Sequence, residues 1–333
     1  MNTVVRLGAG RVVASLILAT VAVIFTGLTP AHAQAPYPNK PIRFILPFPP
    51  GGGTDTLARI LGTRLAEGLA QQVTLDNRPG AGSNLGAEIA AKSPADGYTL
   101  LMGNIAHSIN MTLYSKLNYN FIKDFNAVSL LASAPNIVVV HPSVPVKSVK
   151  ELVALARVKP GALDYASSGS GSSAHLAAVL MLEMTKTRMN HVPYKGGGPA
   201  VVALVSGEVS VGFATTPSVI GHIKSGRLRS LAVTGAKRSA AAPELPTVSE
   251  AGIPDYEMSG WYGILVPAGT PTGVIARLHA ESLKVLKISE VVERMAVAGF
   301  EPVGNSPAEF TAFITNEVDK WAKVVKAAGM RVD

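Results

Sequence analysis

Four loops gather glycine, hydroxyl and proline residues directly after short apolar runs. They are Phe44 to Gly62 (FILPFPPGGGTDTLARILG), Asp76–Ala90 (DNRPGAGSNLGAEIA), Tyr165–Leu180 (YASSGSGSSAHLAAVL) and His191–Val205 (HVPYKGGGPAVVALV). Each reads as a strand, a glycine turn and a helix start. The first N–H groups of a helix have no intrahelical acceptor, and they point with the positive end of the helix dipole at whatever precedes them. The chemistry on offer is the binding of an anion by neutral donors. Thr54, Ser167, Ser168, Ser172 and Tyr194 add hydroxyls, and Lys195 is the one cation in Pro49–Asp55, Ser167–His175 and Tyr194–Pro199.

Other chemistries fit less well. A phosphate loop requires the lysine of G-x-x-x-x-G-K-[ST], and Gly51–Thr56 has none. Gly80-Ala81-Gly82-x-x-x-Gly86 is one residue out of register for a dinucleotide fingerprint, so no nucleotide cofactor is expected. Gly169-Ser170-Gly171 lacks the flanks of a nucleophile elbow. Ser172 and His175 share a helix face, but no acid can be placed beside them, and a triad needs three placed roles. The seven histidines are dispersed without H-x-x-x-H or H-E-x-x-H spacing, and there is no cysteine. Neither a metal site nor an enzyme is expected. Asp55 is read chiefly as a cap on the first helix, with ligand contact as its second role.

These loops need a frame to bring them together. Candidate strands are Ile42–Leu46, Val73–Asp76, Tyr98–Met102, Ile137–Val140, Leu163–Ala166, His191–Val192, Val209–Phe213, Ser230–Val233 and Tyr262–Val266, with helical patterns between most of them. That alternation predicts an α/β protein with parallel sheets. Ser148-x-x-Glu151, Thr247-x-x-Glu250 and Ser306-x-x-Glu309 read as capping boxes at helix starts. Two similar strands closed by proline, Asn136–Pro142 and Tyr262–Gly269, bracket a segment of domain size. The chain is therefore expected to divide into a first domain of residues 34–136 and 262–333, and a second of 137–261. The loops would face each other across a cleft, at the carboxyl ends of the strands.

At the other extreme of the chain, Arg6 and Arg11, an uncharged run from Val12 to Leu28, and Ala31-His32-Ala33 read as a secretory signal peptide, residues 1–33, cleaved after Ala33. The 300 residues that remain of 333 suit two domains. Without the two leader arginines, 28 basic residues face 22 acidic ones, a net charge of +6. The charges are scattered, which argues against a nucleic-acid binder. An exported chain with no cysteine suits the periplasm.

Read in order, "YPNKPIRFILPFPPGGGTD", "NRPGAGSNLGA", "ADGYTLLMGN", "YASSGSGSSAHL", "HVPYKGGGPA", "PELPTVSEAGIPDYE" and "WYGILVPAGTP" resemble the Bug family. Its members are periplasmic solute receptors of tripartite tricarboxylate transporters. The resemblance implies a two-domain type II periplasmic-binding (flytrap) fold. It also implies that a small carboxylate is held by three loops. The first supplies Pro49, Pro50, Gly51, Gly52, Thr54 and Asp55. The second supplies Ser167, Ser168, Gly169, Ser172 and His175. The third supplies Tyr194, Lys195 and Gly196, with Pro199 opening its helix. Asn104 would shape the distal pocket. Ser83 stands where a glycine is usual, which would stiffen that loop. Ala203 and Ser210 replace residues that are often acidic, which disfavours amine-bearing ligands and favours a dicarboxylate or an aromatic carboxylate. Transient partnership with membrane transporter subunits and a monomeric state are implied. The alternative is a receptor that presents its closed form to a periplasmic sensor domain.

Overall fold

A computed structural model describes residues 37–327 and 329–332. The leader and its cleavage site lie outside the described residues. In chain order the elements are β1 (Ile42–Leu46), α1 (Gly53–Leu69), β2 (Val73–Asn77), α2 (Asn84–Ala91), β3 (Thr99–Asn104), α3 (Ile105–Leu113), β4 (Phe125–Val140), α4 (Val149–Val158), β5 (Asp164–Ser167), α5 (Ser173–Thr185), β6 (Asn190–Pro193), α6 (Gly197–Ser206), β7 (Val211–Thr215), α7 (Thr216–Lys224), β8 (Arg229–Val233), β9 (Ser259–Pro267), α8 (Thr272–Val285), α9 (Ser289–Val297), β10 (Glu301–Pro302) and α10 (Pro307–Ala327). A 3-10 turn, Ala81–Ser83, precedes α2.

The fold is the expected α/β alternation, built as two half-sheets that share one strand, but the sheets are mixed and not parallel as expected, because β4 and β9 run antiparallel to every strand they pair with. β1 lies parallel between β2 and β3, and β9 runs antiparallel to β3 and β4. β5 lies parallel to β6 and β7. β4 joins the halves. Its residues Phe125–Pro135 pair with β9, and Asn136–Val140 pair with β7 and β8. The change of partner falls at Pro135, whose nitrogen has no proton to give a ladder. Thr234 stitches the crossing. It donates to the Asn136 carbonyl from its backbone (2.9 Å), accepts the Asn136 N–H (2.8 Å) and donates to the Met258 carbonyl (2.6 Å).

Only the second half of β4 was expected from the sequence. In its first half Ser129 and Ser133 interrupt the apolar pattern, and a bulge follows Ala127. Ser129 is fully buried because it donates to the Asn305 carbonyl at 2.8 Å, a partner 176 residues away. The Ser148 cap forms, accepting the Glu151 N–H at 3.2 Å. The box at Ser306 and Glu309 closes in both directions, at 3.3 and 2.8 Å. The Thr247–Glu250 pair also bonds reciprocally, at 3.0 Å each way, but it closes a turn and starts no helix. Ala251 does donate to the Thr247 carbonyl at 2.8 Å, closing one turn, but Gly252 at φ 110° and Pro254 two residues on end it there.

α10 buries Phe310, Ile314, Trp321 and Val325 along one face, as its period requires. Its Glu317 accepts from the indole N–H groups of Trp321 (2.9 Å) and Trp261 (3.1 Å). This helix thus anchors a side chain of the cleft.

Candidate functional site

Five helix N-termini converge on one small chamber. From the first half-sheet come Gly52, Gly53 and Thr54 at the start of α1, and Asn104, Ile105 and Ala106 at the start of α3. From the second come Ser172 and Ser173 (α5), Gly197 (α6) and Thr215 (α7). Phe48, Trp261 and Tyr262 complete the apolar part of the wall. No charged side chain lines the chamber among the described residues. Its volume is about 40 Å³, enough for a carboxylate or a few waters.

The donors are unevenly spoken for. Asn104 caps α3, accepting the Ala106 N–H at 3.0 Å, and Ser172 caps α5, accepting the His175 N–H at 3.3 Å. α1, α6 and α7 begin without any side-chain cap. The Nδ2 of Asn104, a residue only 4% exposed, has no hydrogen-bond partner. Buried donors without acceptors are costly, and an anion in the chamber would satisfy them together.

Glycine lets the two walls meet. A Cβ on Gly197 would stand 3.4 Å from Gly52 Cα, and one on Gly198 would stand 3.3 Å from the Pro50 carbonyl oxygen. A Cβ on Gly196 would overlap the Pro49 ring, and one on Gly53 the Tyr262 hydroxyl. Pro50 and Gly52 therefore pack backbone against backbone with Gly198 and Gly197 across the cleft, while Gly196 makes room for the Pro49 ring and Gly53 for Tyr262. Beyond this contact lies an outer chamber of about 620 Å³, lined in part by Pro49, Ser168, Gly169, Tyr194, Lys195 and Gly196.

Of the residues singled out in the sequence, Gly52, Thr54, Asn104, Ser168 and Ser172 line the inner chamber. Ser168 also lines the outer one, with Pro49, Gly169, Tyr194, Lys195 and Gly196. The other six line neither. Gly51 and Pro199 are exposed, and Pro50 faces Gly198. Asp55 is 4% exposed and fully engaged. Arg59 grips it from Nε (2.9 Å) and a terminal nitrogen (3.1 Å), and Gly51 N–H (3.1 Å) and Asn77 (3.3 Å) donate to it. Burial opposes its charge, but these bonds outweigh burial and hold its pKa below the usual carboxylate value. Asp55 braces the first glycine turn.

His175 turns away from both chambers. Its Nδ1 accepts the Gly171 N–H at 3.1 Å, and its ring stacks on His191 at 4.0 Å and 5°. Tyr165 stacks in turn on His191 at 4.9 Å. Burial pushes both imidazoles down, His175 to about 3 with a contribution from its neighbour, and His191 to about 4. Two neutral rings thus support the serine-glycine loop from beneath. Ser167 and His191 lie 2.7 Å apart, the spacing of a nucleophile and its base. Ser167 is 1% exposed, however, and its hydroxyl also bonds Gly169 through both N–H and carbonyl. It braces the turn and reaches neither chamber.

Phe48, Thr215, Trp261 and Tyr262 were not singled out. Thr215 follows the same strand-to-helix logic as the other loops, and Pro217 in the first turn of α7 was its signal. Trp261 and Tyr262 sit inside β9, and only pairing with β3, Tyr262 opposite Asn104, brings them to the chamber. Burial raises the Tyr262 hydroxyl pKa, so it stays a proton donor.

Comparison with known proteins agrees with this architecture. The family model described as "Tripartite tricarboxylate transporter family receptor" matches residues 57–330. The protein BugT of Bordetella pertussis is 38% identical over 298 residues, 89% of this chain and 91% of that protein. A structure from R. palustris, solved with adipate, is 36% identical and superposes with a TM-score of 0.86 over 89% of this chain and 99% of that one. MatC from Rhodopseudomonas palustris, with bound malate, is 30% identical, with a TM-score of 0.82 over 87% and 100%.

Proposed function

The chain belongs to the tripartite tricarboxylate transporter receptor family, and on that footing we propose that it binds a small carboxylate in the periplasm and delivers it to membrane transporter subunits. The observation that carries this reading is the chamber of five helix N-termini without a charged side chain. Such a chamber favours an anion and offers no counter-charge to an ammonium group. Each charge-assisted hydrogen bond contributes about 1.5–3 kcal/mol, and a partly buried helix N-terminus adds up to about 2 kcal/mol. Four or five such contacts, less the cost of ordering, come to roughly −8 kcal/mol, a micromolar dissociation constant. That strength suits capture followed by release. Adipate and malate, carried by two relatives, support the ligand class.

The two half-sheets act in this reading as lobes that close about Asn136 and Thr234, with residues 38–135 and 259–327 in one lobe and 136–258 in the other, since residues 259–261 pair with residues 133–135 in the first half-sheet. Closure brings Gly52 against Gly197 and completes a site to which each lobe supplies helix N-termini. A thermal-shift screen of mono-, di- and tricarboxylates and aromatic acids on the mature chain tests the proposal. A ligand at about 100 times its dissociation constant stabilises by about 2.7 kcal/mol, a shift of a few degrees for a protein of this size. A screen in which amines or sugars shift the melting temperature and carboxylates do not would end this reading.

A further inference from the structure

Trp261 belongs to the wall of the inner chamber, and its polar edge is held from α10. The indole N–H donates to Oε2 of Glu317 at 3.1 Å, a partner 56 residues on. Trp321, one helical turn beyond Glu317, donates to the same oxygen at 2.9 Å, and Oε1 lies 3.7 Å from the ammonium of Lys320. Glu317 is 8% exposed. A carboxylate buried this far is a poor source of stability, because its desolvation offsets what its bonds return, and an apolar residue of similar volume often does as well. Its place behind Trp261 points to orientation instead.

The indole needs such a hold. Gly260 and Trp261 line both the chamber and a second hollow of about 360 Å³, to which Pro135 and Gly235 near the strand crossing, and Phe313 and Glu317 on α10, also contribute. That hollow gives the ring room to swing. Phe121, Phe310 and Phe313 pack around it, with centroids at 6.5, 5.7 and 5.7 Å. Aromatic contacts tolerate several relative orientations, whereas an N–H bond to a fixed oxygen selects one.

We propose that Glu317 is a positioning residue: by fixing the Trp261 indole it sets the chamber wall, and through it the affinity for ligand, without lining the chamber itself. This rests on the chamber taking a carboxylate. A negative charge near an anion site would by itself weaken binding, so affinity lost when Glu317 is replaced comes from the wall and not from the charge.

Calorimetry on the mature chain with adipate, malate and benzoate tests the assignment. Glu317→Met keeps the length of the side chain without a strong acceptor, and Glu317→Gln keeps an acceptor oxygen without the charge. Methionine weakens binding about tenfold, the lower end for a hydrogen bond to a charged group. Glutamine restores it to within about threefold of wild type, since a neutral acceptor keeps about half the strength of the bond. In a Trp261→Phe background there is no N–H to hold, and Glu317→Met costs less than about twofold more. Trp321→Phe leaves Trp261 as the one tryptophan of the chain. In that background acrylamide quenches its emission more strongly after Glu317→Met than after Glu317→Gln. Melting curves are recorded alongside, and Glu317→Leu replaces the methionine variant should that one not fold. Equal affinity in wild type and Glu317→Met overturns the positioning role and leaves the carboxylate reading standing. So does an equal methionine loss in the Trp261→Phe background, or quenching that is the same in both variants. Binding of none of the three acids to wild type overturns both.

Discussion

Gly52 is where the two walls of the cleft meet, and the room there decides whether they can. Its backbone is extended (φ −93°, ψ 177°), a conformation open to any residue. A Cβ at this position would lie 3.9 Å from the Gly197 nitrogen, an ordinary contact. Gly52→Ala should therefore still close. Valine carries two more carbon atoms toward a surface that is all backbone, which has no rotamer to yield. Overpacking of this kind costs about 1–3 kcal/mol, and only the form with touching walls bears it. A ligand held by both walls binds in proportion to the population of that form. At 1.4 kcal/mol per decade, Gly52→Val should lose about 5- to 150-fold in affinity. Both variants share the small stability loss of a poorer helix N-cap, so the alanine variant serves as the control. Calorimetry with the best carboxylate from the screen, paired with small-angle scattering with and without it, reads both effects. Alanine should stay within about threefold of wild type, and valine should also lose the ligand-induced decrease in radius of gyration. Wild-type affinity in the valine variant would refute the wall-to-wall contact. Equal losses in both variants would assign Gly52 to helix capping alone.

The histidine stack offers a sharper chemical test. His175→Asn keeps an acceptor for the Gly171 N–H and His175→Phe keeps only the ring, so asparagine should bind ligand about fivefold more tightly, the value of one hydrogen bond; equal losses would mean that ring packing is what counts. Burial holds the pKa of His175 at about 3 and that of His191 at about 4, below the ordinary imidazole value of about 6.5. The unfolded chain takes up protons that the folded chain refuses, so this stability is complete above about pH 6.5 and is lost as pH falls toward 4. Each histidine should cost about 2 kcal/mol at pH 5, and a melting temperature that is flat from pH 7 to 5 would show that these rings are not held neutral. Affinity for a monocarboxylate should change less than about threefold between about 0.05 and 0.5 M salt, because buried neutral donors are poorly screened. A tenfold effect would instead assign the charge to a clamp built on Lys195.

What was legible in the sequence is local in origin. A glycine turn after an apolar run, a serine three residues before a glutamate and an apolar stripe every three to four residues all act between chain neighbours. They therefore read correctly at Gly52, Ser148, Ser306 and along α10. The donor chemistry of the loops was legible for the same reason, since free N–H groups are a property of any helix start. The motifs in series also identified the family. Only the tertiary structure decided which junctions share a chamber. Thr215 joins because β7 lies beside β5. Trp261 and Tyr262 join because β9 pairs antiparallel with β3 and β4. His175, placed in the site from its motif, leaves it because a stacked partner sixteen residues on draws its ring beneath the loop. Asp55 is drawn away likewise by Arg59 and Asn77. A side chain's direction depends on partners distant in the chain, and their pairing is fixed by packing over the whole sheet, which no local stretch of residues encodes.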